Sequence, residues 1–259
     1  MTDILPQSLM TFLEATPLRN PDIPLLLHSA RARSFLKILS SLKIDPEPCD
    51  VFVRDSLSYF FIGRPAYKFC ECPSSDYWLM PIVFILETPN IFPKRIFPFD
   101  SGAFAQGLFG TTHDDFSLDD YLVTSDNLNP VRKIIDVFFG DNDQYLSFKP
   151  KAVDQLTMEF NLKSTDFIIK SLAALYAKGT TNDFDDRVGC IEIQYDQPIE
   201  INSILKGIVL PEDWILQSTE IEDALQSLGC LVETYPVYPI SRSNYYSKIY
   251  ELSGQICNA

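Results

Sequence analysis

The chain has 259 residues, with 21 Lys+Arg against 35 Asp+Glu for a formal net charge of −14; 46% of its residues are hydrophobic and 22% charged. That composition belongs to folded globular proteins, neither disordered nor collagen-like. The acidity weighs against an extended nucleic-acid binder, which needs a broadly positive surface to release counterions, but it leaves room for a locally basic cleft.

Every apolar stretch is interrupted well short of the ~18 residues a membrane-spanning helix needs; FIIKSLAALYA, the most tempting, carries Lys170 in its middle. The opening MTDILPQSLM has no basic n-region, so no secretory signal is expected. Cys49, Cys70, Cys72, Cys190, Cys230 and Cys257 show no disulfide framework, and the expectation is a cytoplasmic chain with reduced thiols. With two histidines and no CxxC pair, no metal site is expected.

In chain order, residues 7–13 read as a short helix stopped near Pro17, and IPLLLH (23–28) as a buried strand. The strand runs into SARARSFLKILSSLK, where Ala32, Phe35, Leu36, Leu39 and Leu42 fall at helical spacing and Ser29 is placed to cap. DVFV (50–53) and LSYFFIG (57–63) read as strands, the second turning at Gly63 into a short helix opened by Arg64 and Pro65. WLMPIVFILE (78–87) reads as a strand that Pro81 pushes towards a sheet edge. Residues 88–129, rich in proline and glycine, read as a long irregular insertion, and loops of that length are usually functional or hold unrecognised elements. Helices are expected at 130–139, 150–160 and 165–178, and strands at GCIEIQY (189–195) and ILKGIVL (204–210). STEIEDALQSLG (218–229) is a helix capped by Ser218 and stopped by Gly229, leading into the short strand CLVETY. The whole is expected to be one α+β domain over residues 1–259.

Several catalytic signatures are missing: GxGxxG, the Walker loop and the GxSxG elbow. SGAFAQGLFG (101–110) reads as a turn-rich loop, and GDNDQY (140–145) and DFDDR (183–187) as solvated turns. Three separated segments remain. His28 ends a buried strand ahead of Ser29 and a helix; alone, such a histidine is usually structural. Tyr59-Phe60-Phe61 precedes Gly63-Arg64-Pro65-Ala66-Tyr67, which alone reads as aromatic core. Glu192 lies in a strand whose alternation puts Cys190, Glu192 and Gln194 on one face. A lone acid on a strand commonly faces solvent.

Taken in order, the three segments resemble the His-Tyr-Glu ADP-ribosyltransferases, a superfamily that includes the poly(ADP-ribose) polymerases and bacterial transferases of toxin–antitoxin and phage-conflict systems. SYFFIGRPAY is similar to the Tyr-Phe…Ala-x-Tyr segment of the polymerase branch, and PIEINSILKGIVLPEDW after Glu192 is similar to the ending of several bacterial members. The resemblance covers about half the chain. It implies split mixed and antiparallel sheets with flanking helices, and a nicotinamide pocket for NAD. In that pocket His28 would bond a ribose hydroxyl and the backbone at Ser29 the carboxamide; Tyr67 would stack on the nicotinamide, with Tyr59 packed beneath the ribose. Glu192 would stabilise the cation that forms as nicotinamide leaves, and Arg33 and Arg64 would hold the pyrophosphate. Cys190 stands two residues before the Glu, so the paired acid of arginine-modifying members is missing; the acceptor, protein or nucleobase, is left open. Two alternatives stand beside the transferase: a nucleotide-binding pseudo-enzyme of the same fold, and an acidic interaction or immunity protein.

Overall fold

The computed structural model describes residues 6–19, 22–66, 80–110, 114–179, 186–216, 218–237 and 242–258. Among the described residues ten strands form: β1 (Leu26–Ala30), β2 (Lys43–Ile44), β3 (Glu47–Pro48), β4 (Ser56–Ile62), β5 (Ile82–Leu86), β6 (Arg95–Phe97), β7 (Glu192–Tyr195), β8 (Ile199–Glu200), β9 (Leu205–Pro211) and β10 (Leu231–Tyr235). Seven line up as β10-β9-β5-β1-β4-β7-β6, with β3 added beside β4, and β2 pairs β8 apart from them. All pairings in this mixed sheet are antiparallel except β10 with β9. The fold is therefore α+β, as expected.

Both faces of the sheet are buried. On one, Phe60, Ile62, Phe84, Ile193 and Ile208 meet helices drawn from the middle of the chain. On the other, Leu27, Val83, Ile85 and Val209 are covered by Tyr245, Ile249, Leu252 and Ile256. That spacing is one stripe of the Arg242–Cys257 helix, which the sequence reading did not anticipate. The helix approaches β9 closely because position 207 is glycine; a Cβ there would stand 2.8 Å from Ile256 Cγ2.

The feature that matters for function is an interruption in the middle of the sheet. Along β1 all five residues pair with β5, from Leu26↔Leu86 to Ala30↔Ile82. With β4, only Leu26↔Ile62 and Leu27↔Phe61 pair. Beyond them the strands part, and the first half of β4 pairs instead with β7 and β3. The sheet is thus split between His28–Ala30 and Ser56–Phe60. Gly63 closes the unsplit end: its N–H donates to Leu25 O at 2.8 Å, and at φ +65° a Cβ would stand 2.4 Å from Leu146 Cδ2.

Several expectations are corrected. β5 is not at an edge; it lies between β1 and β9, and Pro81 stands just ahead of it, outside the ladder. Residues 50–54 are a tight turn joining β3 to β4, closed by Asp55 N–H donating to Phe52 O and Cys49 N–H to Asp55 O. Residues 88–129 are not structureless: they hold β6 and the helices Ser101–Ala105 and Leu118–Tyr121. SGAFA is helical because Asp100 caps it, accepting from Ala103 N–H at 2.6 Å. In GDNDQY, Asp141 caps the helix Asn142–Leu146 and Tyr145 is fully buried. Its hydroxyl donates to Ile62 O at 2.9 Å and accepts from Ile191 N–H at 3.2 Å, tying the end of β4 to the approach to β7.

Candidate functional site

The split opens into a cleft of about 770 Å³, a volume ordinary for small-molecule and cofactor sites. β1 supplies His28 and Ser29, and β4 supplies Tyr59 and Phe61. The helix Ala32–Ser41 follows β1 after a single residue and turns its polar side to the cavity, bringing Arg33 and Lys37, with Arg31 just before it. Across the opening, β2, β3 and the link between them add Lys43, Asp45 and Glu47. Lys37 pairs with Asp45 at 3.4 Å and Lys43 with Glu200 at 2.6 Å; among the described residues neither Arg31 nor Arg33 has an ion pair. In a chain of net charge −14, Arg31, Arg33, Lys37 and Lys43 against Asp45 and Glu47 still leave this lining with a positive balance that attracts anions.

His28 spans the split. Its Nδ1 lies 2.9 Å from Tyr59 O; the carbonyl accepts, so the proton is on Nδ1 and Nε2 is left as an acceptor. Burial holds its pKa below the usual histidine value, against a smaller opposing effect of that hydrogen bond, so the ring is neutral near pH 7. It packs against Phe60 and Phe84, with centroids at 5.2 and 6.4 Å. Ser29 is not a helix cap. Arg31 holds that position, and the Ser29 hydroxyl donates to Pro65 O at 3.0 Å. The Tyr59 hydroxyl is 2.6 Å from Cys49 Sγ, and that sulfur accepts from Phe52 N–H at 3.1 Å. Burial, the Cys49 contact and the nearby Glu192 and Asp100 all raise its pKa, so it stays a neutral phenol.

Glu192 sits one strand further over. It faces Phe61, as Gln194 faces Tyr59, so both share a sheet face with the cleft-lining aromatics. The carboxyl does not line the cleft and is 1% exposed. Its Oε2 accepts from Ser101 N–H at 3.1 Å, and its Oε1 from Ser101 Oγ at 2.7 Å and Gln194 Nε2 at 2.6 Å. Burial first, and then the Asp100 charge, push its pKa up to about 8 against those donors. The expectation of a solvent-facing acid is replaced by a sealed, fully bonded one.

His28, Ser29, Arg33 and Tyr59 therefore meet at one cleft, with Glu192 on the adjoining strand. Arg64 does not join them. It is 7% exposed, its guanidinium 3.8 Å from Cys190 Sγ and 3.9 Å from Asp186, and 5.0 Å from the ring centroid of Phe148. Tyr250 bonds the same Asp186 carboxylate. Tyr67 lies outside the described residues. Reading the sequence missed Arg31, Lys37 and Lys43, and above all Ser101; for that last residue the only signal was the Asp100 cap. Among the described residues no group of three metal-ligating side chains converges, and no helix is long and apolar enough to cross a membrane. Neither the protein-family models, the curated proteins nor the solved structures yield a match to this chain.

Proposed function

We propose that the chain is an NAD-dependent ADP-ribosyltransferase whose substrate binds in the split of the sheet. The observation that carries this reading is the order of three residues across the sheet, Tyr59 and Glu192 sharing one sheet face and His28, packed on Phe60 and Phe84, reaching the split from the other. His28, Tyr59 and Glu192 stand on β1, β4 and β7, neighbours in the sheet, at the point where β1 and β4 part. The residues present suit the ligand. The flat cationic ring would be bound by the face of Tyr67, worth about 0.5–2 kcal/mol. Ser29 offers backbone polar groups at the strand end, and Arg33 on the cleft wall can engage phosphate oxygens with two parallel bonds.

In the reaction the glycosidic C1′–N bond breaks and nicotinamide departs with the bonding electron pair. The cation left at C1′ is captured by an acceptor oxygen or nitrogen, which loses its proton. A preorganised carboxylate near C1′ lowers this barrier because its attraction grows as the charge develops. The positive nicotinamide favours ionised Glu192 by the same Coulombic effect through which Asp100 disfavours it. The expected result is that the protein releases free nicotinamide from NAD, read by chromatography, while Glu192→Gln retains NAD binding and loses about 100-fold or more of the release. Equal release from parent and variant removes Glu192 from the mechanism. No release from either, with no NAD-induced rise in melting temperature, sinks the reading.

One observation favours the second reading, a nucleotide-binding pseudo-enzyme: the carboxyl of Glu192 is sealed by Ser101 and Gln194. NAD binding in calorimetry without nicotinamide release is its signature.

A further inference from the structure

We propose that Ser101 is the positioning residue of Glu192, holding both carboxyl oxygens at once, with Gln194 fixing the carboxyl from the same strand face. This rests on the transferase reading above and assigns roles to residues that reading does not need. Ser101 is the first residue of the Ser101–Ala105 helix and is fully buried. Its N–H and its hydroxyl go to different oxygens of Glu192, which fixes the plane of the carboxyl as a single bond could not. Gln194 Nε2 donates to Glu192 Oε1 and, at 3.2 Å, to Ser101 Oγ.

The orientation of that amide is dictated from behind. Arg95 Nη1 lies 3.4 Å from Gln194 Oε1, and because a guanidinium only donates, the amide oxygen must face it and the NH₂ must face Glu192. Arg95 is itself held by Asp55 at 2.5 Å and by the Phe52 ring, 4.3 Å from centroid to guanidinium carbon. Three donors thus converge on Glu192, an arrangement made for the ionised carboxylate. The charged and titratable groups around it are Asp100 at the head of the helix, Tyr59 on β4 from the cleft side, and, behind Gln194, Arg95 on β6 paired with Asp55. Asp100 opposes ionisation. Its replacement by Asn keeps a side-chain cap on the helix and removes only the charge. The segment 88–129 therefore does more than cover the core: it brings the orienting groups of the catalytic carboxyl.

The test uses the full chain and NAD, reading free nicotinamide from pH 5.5 to 9 for the parent, Ser101→Ala and Asp100→Asn, with a melting curve for each. Ser101→Ala is expected to lower kcat by about 30-fold while KM for NAD stays within about twofold. It is also expected to move the acidic limb of kcat to higher pH, since the ionised form loses a donor. Asp100→Asn is expected to move that limb to lower pH with the plateau kept. A Ser101→Ala protein that melts earlier yet keeps the parent kcat and limb shows a merely structural contact and overturns the proposal. If Ser101→Ala does not fold, an unmoved limb in Asp100→Asn and an unchanged kcat in Gln194→Met overturn it instead. A parent that releases no nicotinamide sinks the transferase reading and this proposal with it, an outcome distinct from an active parent whose variants behave alike.

Discussion

Two arginines that the sequence nominates for the same task end in opposite environments. Arg33 is exposed on the wall of the cleft. Arg64 is enclosed by Asp186, Cys190, Tyr145 and Phe148. Both follow a strand that borders the split, and both are within a few residues of a candidate site side chain. What separates them is register. Arg33 sits on the solvent side of an amphipathic helix whose other side buries Phe35 and Ile38, whereas Arg64 follows Gly63 through a turn that carries it under the sheet. A guanidinium used for an anionic ligand must remain free to exchange water for phosphate; Arg64 is instead enclosed by side chains and shut away from solvent.

The contrast can be broken most severely at Arg64. Replacing it by Met removes the buried guanidinium that packs between Asp186, Cys190 and the Phe148 ring, and a loss of about 3–5 kcal/mol in denaturant unfolding is expected. Where the variant still folds, its affinity for NAD should be unaltered; a weakened affinity would return Arg64 to the site. Next in size is Tyr145→Phe. It strips the hydroxyl that serves Ile62 O and Ile191 N–H, and about 2–4 kcal/mol should be lost for the two orphaned backbone groups. A cost below about 0.5 kcal/mol would show that this bridge between β4 and the approach to β7 is unimportant.

Glu192 supplies a pH signature on the other side of the comparison. Its carboxyl has a folded pKa raised above the unfolded value near 4.5. The stability it contributes is therefore complete below about pH 4.5 and drains away as pH rises through about 8. Glu192→Gln should flatten the fall of melting temperature across that window. An identical slope in parent and variant would mean that the group titrates normally. The smallest effect on stability is expected at Arg33. Arg33→Ala should leave the melting temperature within about 1 °C, as exposed substitutions do, and weaken NAD binding about 5–10-fold, most clearly at low ionic strength. Unchanged affinity would take Arg33 out of the cleft chemistry.

How far the site could be read from the sequence follows the same division. His28, Ser29 and Arg33 are legible because they ride on one continuous strand-to-helix passage, and Tyr59 because an aromatic strand ends in a glycine that must turn. The core helices 129–138 and 167–178 are legible from their spacing. The edge strand β6 has three residues, too few for an alternation to register, and its partner β7 begins with Glu192, far along the chain. Ser101 was invisible for the same reason: its meaning comes only from a carboxylate 91 residues away. Burial of Arg64 is likewise a long-range property, set by Cys190, 126 residues on. Local patterns show which strands and helices form, but the cradle of Glu192 depends on which of them become neighbours.

The transferase proposed above must hold NAD in the split between β1 and β4. Its most direct test is to titrate NAD into ¹⁵N-labelled protein and follow backbone amides. The account predicts saturable shifts at Ser29, Arg33, Tyr59 and Phe61, with the amides of Arg64 and Cys190 unmoved. Shifts confined to residues away from the split, or none at millimolar NAD, would contradict it.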